Sequence, residues 1–203
     1  MTVSSTEETK VTKNIVMLYS GGADSALMVR LAVMSGRQPF CLLIDYGQKH
    51  IEELNFATTQ LDEVGLKYKI VKVENLGVNS GLTGELKEQR WENVHAMNVP
   101  GRNTIFIGLA ISVAEDMGID EVWYGPDYSD RIHLFPDCYQ EYVVKMNEVL
   151  AISGVKPITL VAPLLGMSKE LILEILENFW DVKLNQLHSG YEAPEQEVVD
   201  CGC

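Results

Sequence analysis

No stretch of this sequence is apolar for long enough to cross a bilayer, which argues against a membrane protein. Basic residues are scarce: 16 Lys and Arg stand against 29 Asp and Glu, a formal net charge of −13. That balance leaves no broad cationic surface, so direct contact with nucleic acid is not expected. Cysteine is sparse as well, and Cys41, Cys138, Cys201 and Cys203 do not form the framework of a disulfide-rich protein. Cys41, inside the apolar run 40–44, reads as a small core residue. Residues 1–13 are polar, lack the apolar core of a signal peptide and read as a flexible arm. Repeats and low-complexity tracts are absent. The expectation is a cytoplasmic protein with one α/β domain over residues 14–181 and a C-terminal tail over 182–203.

What the chain does have is a glycine turn between a strand and a helix. The apolar run Ile15-Val16-Met17-Leu18 leads through Tyr19 into Ser20-Gly21-Gly22-Ala23-Asp24-Ser25, and a helix-like run follows from Ala26. Such a turn aims backbone N–H groups and the positive end of a helix dipole at one point, a seat for phosphate. The glycines let the backbone approach an anion and tolerate positive φ. Ser20 and Ser25 offer hydroxyl donors. Asp24 needs a cation between itself and phosphate, which makes it the candidate Mg²⁺ ligand. No Gly-Lys-Ser/Thr follows, so this is not a Walker A loop.

Further along, strands are expected at 38–45, 68–73, 120–125 and 156–161. A helix over 51–64 places Ile51, Leu54, Leu61 and Val64 on its inner face. Residues 74–98 carry no sustained period, and a segment of that length reads as a lid or binding loop with Trp91 and His95 as its notable side chains. Gly101, Arg102 and Asn103 stand before a run, 105–114, that is apolar nearly all round and is expected to lie in the middle of a layer. Arg102 has the forked geometry for phosphate or carboxylate. Pro136 is expected to open a helix with Val143, Met146 and Leu150 inward, and Ser168 to cap a last helix starting at Lys169. These alternations make a Rossmann-like, doubly wound parallel sheet of about five strands with a helical C-terminal part, binding ligands at the carboxyl ends of its strands.

The Ser20–Ser25 wording resembles the PP-loop of ATP pyrophosphatases. That loop, Asp45-Tyr46-Gly47-Gln48-Lys49-His50, Val99-Pro100-Gly101-Arg102-Asn103, Pro136-Asp137-Cys138 and Ala162-Pro163-Leu164 with Lys169 together resemble the 7-cyano-7-deazaguanine synthases, the QueC family. The resemblance runs from residue 14 to about 191 and implies an ATP-dependent conversion of 7-carboxy-7-deazaguanine and ammonia to the nitrile through adenylated intermediates. It implies that Leu18 to Ser25 hold nucleotide and that Asp24, with Mg²⁺, Ser25, Arg102 and Lys169 act in catalysis. Tyr46, Gln48, Gly101, Arg102 and Asn103 join the nucleotide site, with Tyr46 and Gln48 facing either adenine and ribose or the deazapurine. Asp137, Cys138 and Phe135 fall to the substrate base, Asp137 accepting from its N1–H and exocyclic amine. Cys138, with nothing beside it to lower its pKa, reads as a packed thiol rather than a nucleophile. A homodimer is also implied.

The chain departs from the family pattern in two places. Gly190 stands where the first thiolate of a four-cysteine zinc site falls, leaving Cys201, Cys203 and His188 as zinc-type ligands, and two thiolates do not complete a tetrahedral site. Residues Arg131-Ile132-His133-Leu134-Phe135 are bulkier than the family's segment before Pro-Asp-Cys. These differences keep open an enzyme that stops at the amide. A tRNA thiolase and a non-catalytic deazapurine-binding module are the readings of other kinds.

Overall fold

The computed structural model describes residues 13–48, 52–74, 76, 99, 101–132 and 135–180, and the side chains of 132, 179 and 180 are not among them. Most of the 74–98 segment with Trp91 and His95, and the tail with His188, Gly190, Cys201 and Cys203, lie outside the described residues.

Alternation along the first strand decides the layering. In β1 (Lys13–Leu18), Ile15 and Met17 point to one face of the sheet while Val16 and Leu18 point to the other. β2 (Arg37–Asp45), β3 (Tyr68–Lys72), β4 (Glu121–Trp123) and β5 (Thr159–Val161) complete a parallel sheet in the order β3-β2-β1-β4-β5. A parallel sheet is covered on both faces. On one, α3 (Arg102–Met117) and α5 (Gln140–Ser153) lay Ile107, Ala110, Ala114, Val143 and Leu150 against Val16, Leu42, Ile44, Val122 and Leu160. On the other, α1 (Ala23–Met34) and α6 (Lys169–Trp180) bring Leu27, Met28, Ile172 and Leu176 against Ile15, Met17 and Trp123, and α2 (Glu52–Glu63) packs Ala57 and Leu61 on Cys41 and Leu43. Each fully buried aliphatic side chain contributes roughly 1.5–3 kcal/mol.

The strand order reverses direction at β1, with β2 on one side and β4 on the other. This switch point opens a crevice at the carboxyl ends of two neighbouring strands. The opposite end of the sheet is closed by polar contacts. Buried Glu121 accepts from Arg37 Nε at 2.8 Å and Trp123 Nε1 at 2.6 Å and pairs with Lys13 Nζ at 2.9 Å.

Several expectations need correction. Lys13, assigned to the arm, already belongs to β1. Val64 is 52% exposed because the helix ends at Glu63; Leu61 is buried as expected, Ala57 joins it, and Ile51 lies outside the described residues. α3 is not buried all round: Ile105 and Gly108 face outward, since the helix forms an outer layer over one sheet face. β4 and β5 span three residues each, shorter than expected. Pro136 starts a 3₁₀ turn, Pro136–Cys138, rather than the helix itself, because Tyr139 is extended (φ −103°, ψ 150°) and caps α5 anew.

Candidate active site

The loop leaving β1 is built as an anion seat. Gly22 caps α1 with no side-chain hydrogen bond, so the first-turn N–H groups have no partner within the helix. Gly21 has φ +84°, and a Cβ there would lie 2.9 Å from Ala57 Cβ, so only glycine fits. Gly22 is extended at φ −78°, so of the two glycines it is Gly21 that uses the tolerance for positive φ. Ser25 is buried and its Oγ donates to the Gly22 carbonyl at 2.9 Å, while Ser20 is exposed beside it, 3.5 Å away between hydroxyls. Ser25 thus shapes the loop, and Ser20 is the hydroxyl open to a ligand.

Across the crevice, the last helix answers the loop. Ser168 Oγ accepts from Leu171 N–H at 3.3 Å, capping α6 and setting Lys169 in its first turn. Lys169 Nζ reaches Asp24 Oδ1 and Oδ2 at 2.7 and 2.6 Å and Asp127 Oδ2 at 3.3 Å. Burial raises the Asp24 pKa and the Lys169 ammonium opposes the rise. Burial pulls the Lys169 pKa down, but Asp24 and Asp127 outweigh it and the net shift is upward. The 2.7 and 2.6 Å contacts have the geometry of a two-oxygen ion pair.

Asp127, which follows β4, and Asp130 were not among the residues singled out from sequence. A short helix, α4 (Tyr128–Ile132), accounts for both. Asp127 N–H donates to Asp130 Oδ2 at 3.0 Å and Asp130 N–H donates to Asp127 Oδ1 at 3.1 Å, a capping box with aspartate at both positions. The Asp-x-x-Asp spacing of residues 127–130 was the available signal. Tyr128 N–H donates to the Met167 carbonyl, which holds this turn against the start of α6. Burial, then the charges of Asp127 and Asp24, push the Asp130 carboxyl up to about 6, against the Asp127 N–H and Lys169.

A second grouping forms at the ends of β2 and β4. Arg102, first residue of α3 behind the left-handed cap Gly101, lies over the Tyr46 ring at 5.8 Å, with its Nη1 3.4 Å from the Tyr46 hydroxyl. Gln48 Oε1 accepts from Tyr46 N–H at 3.1 Å, closing the turn after β2. Asn103 sits half-buried beside Arg102 in the first turn of α3. Nearby, Tyr124 hydroxyl donates to the Asp137 carbonyl, and the buried Cys138 thiol faces Asp137 Oδ1 at 3.6 Å. Burial and the charges of Asp130 and Asp137 drive the Cys138 pKa well above the thiol range, as befits a packed residue. Phe135 is half-buried, its N–H on the Asp130 carbonyl.

The structure thus brings together Asp24, Lys169, Ser20, Gly21 and Gly22 at one place, and Arg102 with Tyr46 at another. Ala23 is buried in the core beneath the loop. Two residues expected at the nucleotide turn their side chains away. Leu18 packs into the core under α3, and Tyr19 is buried towards α2, its hydroxyl donating to Gln60 Oε1 at 2.9 Å. Among the described residues no three His, Cys, Asp or Glu converge on a metal position. Asp24 nonetheless suits Mg²⁺ chemically: its oxygens already face a cation, and a hard ion of this kind takes one or two carboxylates and completes its shell from phosphate and water.

A five-stranded parallel sheet in the order β3-β2-β1-β4-β5, with a glycine loop at its switch point beside a carboxylate–lysine pair, defines an α/β fold of the adenine nucleotide alpha hydrolase type. Solved structures share this fold: the U34-tRNA thiolase NcsA from Methanococcus maripaludis, with its [4Fe-4S] cluster, is similar at TM-score 0.59 and 16% identity, covering 89% of this chain and 60% of that one. NMN synthetase from Francisella tularensis is similar at TM-score 0.52 and 16% identity, covering 90% and 67%. Residues 14–203 match the family model described as queuosine biosynthesis protein QueC. The 7-cyano-7-deazaguanine synthase of Marinomonas sp. is 33% identical over 201 residues, 95% of this chain and 90% of that protein. That of Alteromonas mediterranea is 34% identical over 170 residues, 80% and 78%. The chain belongs to the QueC family, an ATP-dependent ligase family.

Proposed function

We propose that this protein converts 7-carboxy-7-deazaguanine and ammonia to 7-cyano-7-deazaguanine at the expense of ATP, as a cytoplasmic homodimer supplying 7-deazapurine (queuosine) biosynthesis. The observation that carries the reading is the Lys169 bridge to Asp24 and Asp127 across the switch point, in a chain whose family resemblance spans nearly its whole length. ATP supplies an AMP group that turns a carboxylate or amide oxygen into a leaving group. Mg²⁺, held by Asp24, would neutralise the departing pyrophosphate.

The protein's own groups divide the remaining work. The N–H groups after Gly22 and the Ser20 hydroxyl hold the terminal phosphates, and Lys169 gives them a positive charge that the chain already keeps in place. Arg102, braced on Tyr46, stands over the entrance as a second cation. Asp137 accepts from the donor edge of the guanine-like ring. Both oxygens of the starting carboxylate must leave before a nitrile remains, so two rounds of activation are required at the same loop.

The test is incubation with the 7-carboxy base, ammonium, Mg²⁺ and ATP, followed by mass spectrometry and AMP quantitation. Nitrile with two AMP per product is expected. Amide as the sole product at long times turns the reading into an amide-forming ligase, and neither product overturns it.

A further inference from the structure

The segment before Pro136 contains a cation with no counter-ion among the described residues. Arg131 lies in the last turn of α4, and its guanidinium carbon lies 5.5 Å from the Tyr128 ring centroid and 5.3 Å from that of Tyr139. Among the described residues, its Nε is the one buried side-chain nitrogen or oxygen with no hydrogen-bond partner. The neighbouring acids have other partners, Asp137 through one oxygen only. Asp130 takes the Asp127 N–H, and Asp137 faces the Cys138 thiol. No described carboxylate pairs with Arg131.

Native structures rarely leave a buried donor unpaired, and the exceptions call for an explanation. Aromatic rings stabilise a guanidinium through its faces and leave its in-plane donors unspent. Two tyrosines therefore hold this charge in position while its fork keeps its capacity for an anion. The position is tied to the base end of the site: Tyr139 directly follows Cys138, and its hydroxyl donates to the Arg131 carbonyl at 3.2 Å. The residue tethered there by Tyr124 is Asp137.

Resting on the function proposed above, we propose that Arg131 seats the carboxylate of the substrate acid, with Asp137 taking the donor edge of the same ring. A fork of donors fits a carboxylate in two parallel bonds. Its attraction is specific to one stage, because the charge it recognises disappears when the acid becomes the amide. Arg131 thus acts as a specificity residue for the first half of the reaction.

Equilibrium binding and steady-state kinetics with two probes, the 7-carboxy base and the 7-amido base, test this on the full chain. R131Q is expected to weaken binding and raise KM for the acid about tenfold or more, the loss of a charge-assisted pair. KM for ATP and binding of the amide should stay within about twofold, the amide also serving as the control for folding. R131K keeps the charge without the fork and should fall between, and its acid-to-amide ratio decides the matter if R131Q does not fold. Equal loss with acid and amide, no loss with either, or a selective loss in R102Q instead overturns the assignment. Wild-type protein that binds both bases but makes no product refutes the proposed reaction alone, and wild-type protein that binds neither refutes both.

Discussion

Lys169 grips both oxygens of one carboxylate, its Nζ lying 2.7 and 2.6 Å from Asp24 Oδ1 and Oδ2 across 145 residues of sequence. With Asp127 also in reach, one ammonium serves two acids, one in the helix that follows β1 and one in the loop that follows β4. K169M leaves these carboxylates facing each other and removes the charge proposed to meet phosphate. AMP release should show kcat/KM for ATP lowered about a hundredfold or more. A loss of less than about threefold would mean that Lys169 serves packing and charge balance only.

Gly21 is fixed by space and by backbone conformation together. G21A puts a Cβ 2.9 Å from Ala57 Cβ at φ +84°, and should lower stability by more than about 1 kcal/mol in a denaturant titration. The pair G21A/A57G relieves the contact and leaves the φ penalty. Recovery in the double variant should be partial, and full recovery would show that the conformation costs nothing.

Asp130 should make stability fall with rising pH over a defined window. Its carboxyl is pushed up to about 6 by burial first and then by the charges of Asp127 and Asp24, whereas an unfolded Asp titrates near about 3.9. Between these values the folded state binds the extra proton, so stability declines as pH rises through the window and levels off above it. D130N keeps an oxygen for the Asp127 N–H and should lack that decline. Parallel pH profiles of the urea midpoint for the two proteins would contradict the assignment.

Glu121 works at the other end of the sheet, and its sign is opposite. Burial disfavours its charge, but the hydrogen bonds from Lys13, Arg37 and Trp123 outweigh burial and lower its pKa. Its contribution is present above the unfolded value near about 4.3 and is lost as pH falls through the lower folded value. E121A, which orphans the Trp123 N–H and the Arg37 fork, should cost roughly 2–4 kcal/mol. Product formation at 25 °C under folding conditions should be unchanged. A large kcat defect in folded E121A would refute the separation of the two ends.

Burial pushes the Cys41 thiol up to about 12 and the Cys138 thiol further still. Alkylation at neutral pH with peptide mapping should leave both unlabelled until denaturant is added. C138A should keep product formation within about threefold; abolition of activity in folded C138A would restore the covalent nucleophile.

What could be read in the sequence was what is local. Gly21 and Gly22, the Ser168 cap and the Arg102 fork each announce themselves within a few residues, and all stand at the strand ends expected of them. Asp127 escaped notice because its meaning comes from Lys169, far along the chain. Tyr19 read as part of the loop because it adjoins Ser20, yet strand alternation turns it under α2. Likewise α3 looked buried all round because composition registers apolar residues, while exposure depends on how many layers cover them. The departure at residues 131–135 was visible, whereas the unpaired Arg131 nitrogen needed coordinates.

The Lys169 bridge also sets an order of events during synthesis. Leu27 and Met28 wait for Ile172 and Leu176 to cover them, and Asp24 acquires its counter-charge from the same helix. A nascent chain that has displayed its glycine loop for more than a hundred residues therefore holds an uncompensated carboxylate until α6 emerges from the ribosome. The Asp24–Lys169 pair and closure of the last layer arrive together, so a polypeptide abandoned before residue 169 carries the glycine loop without its partner across the crevice.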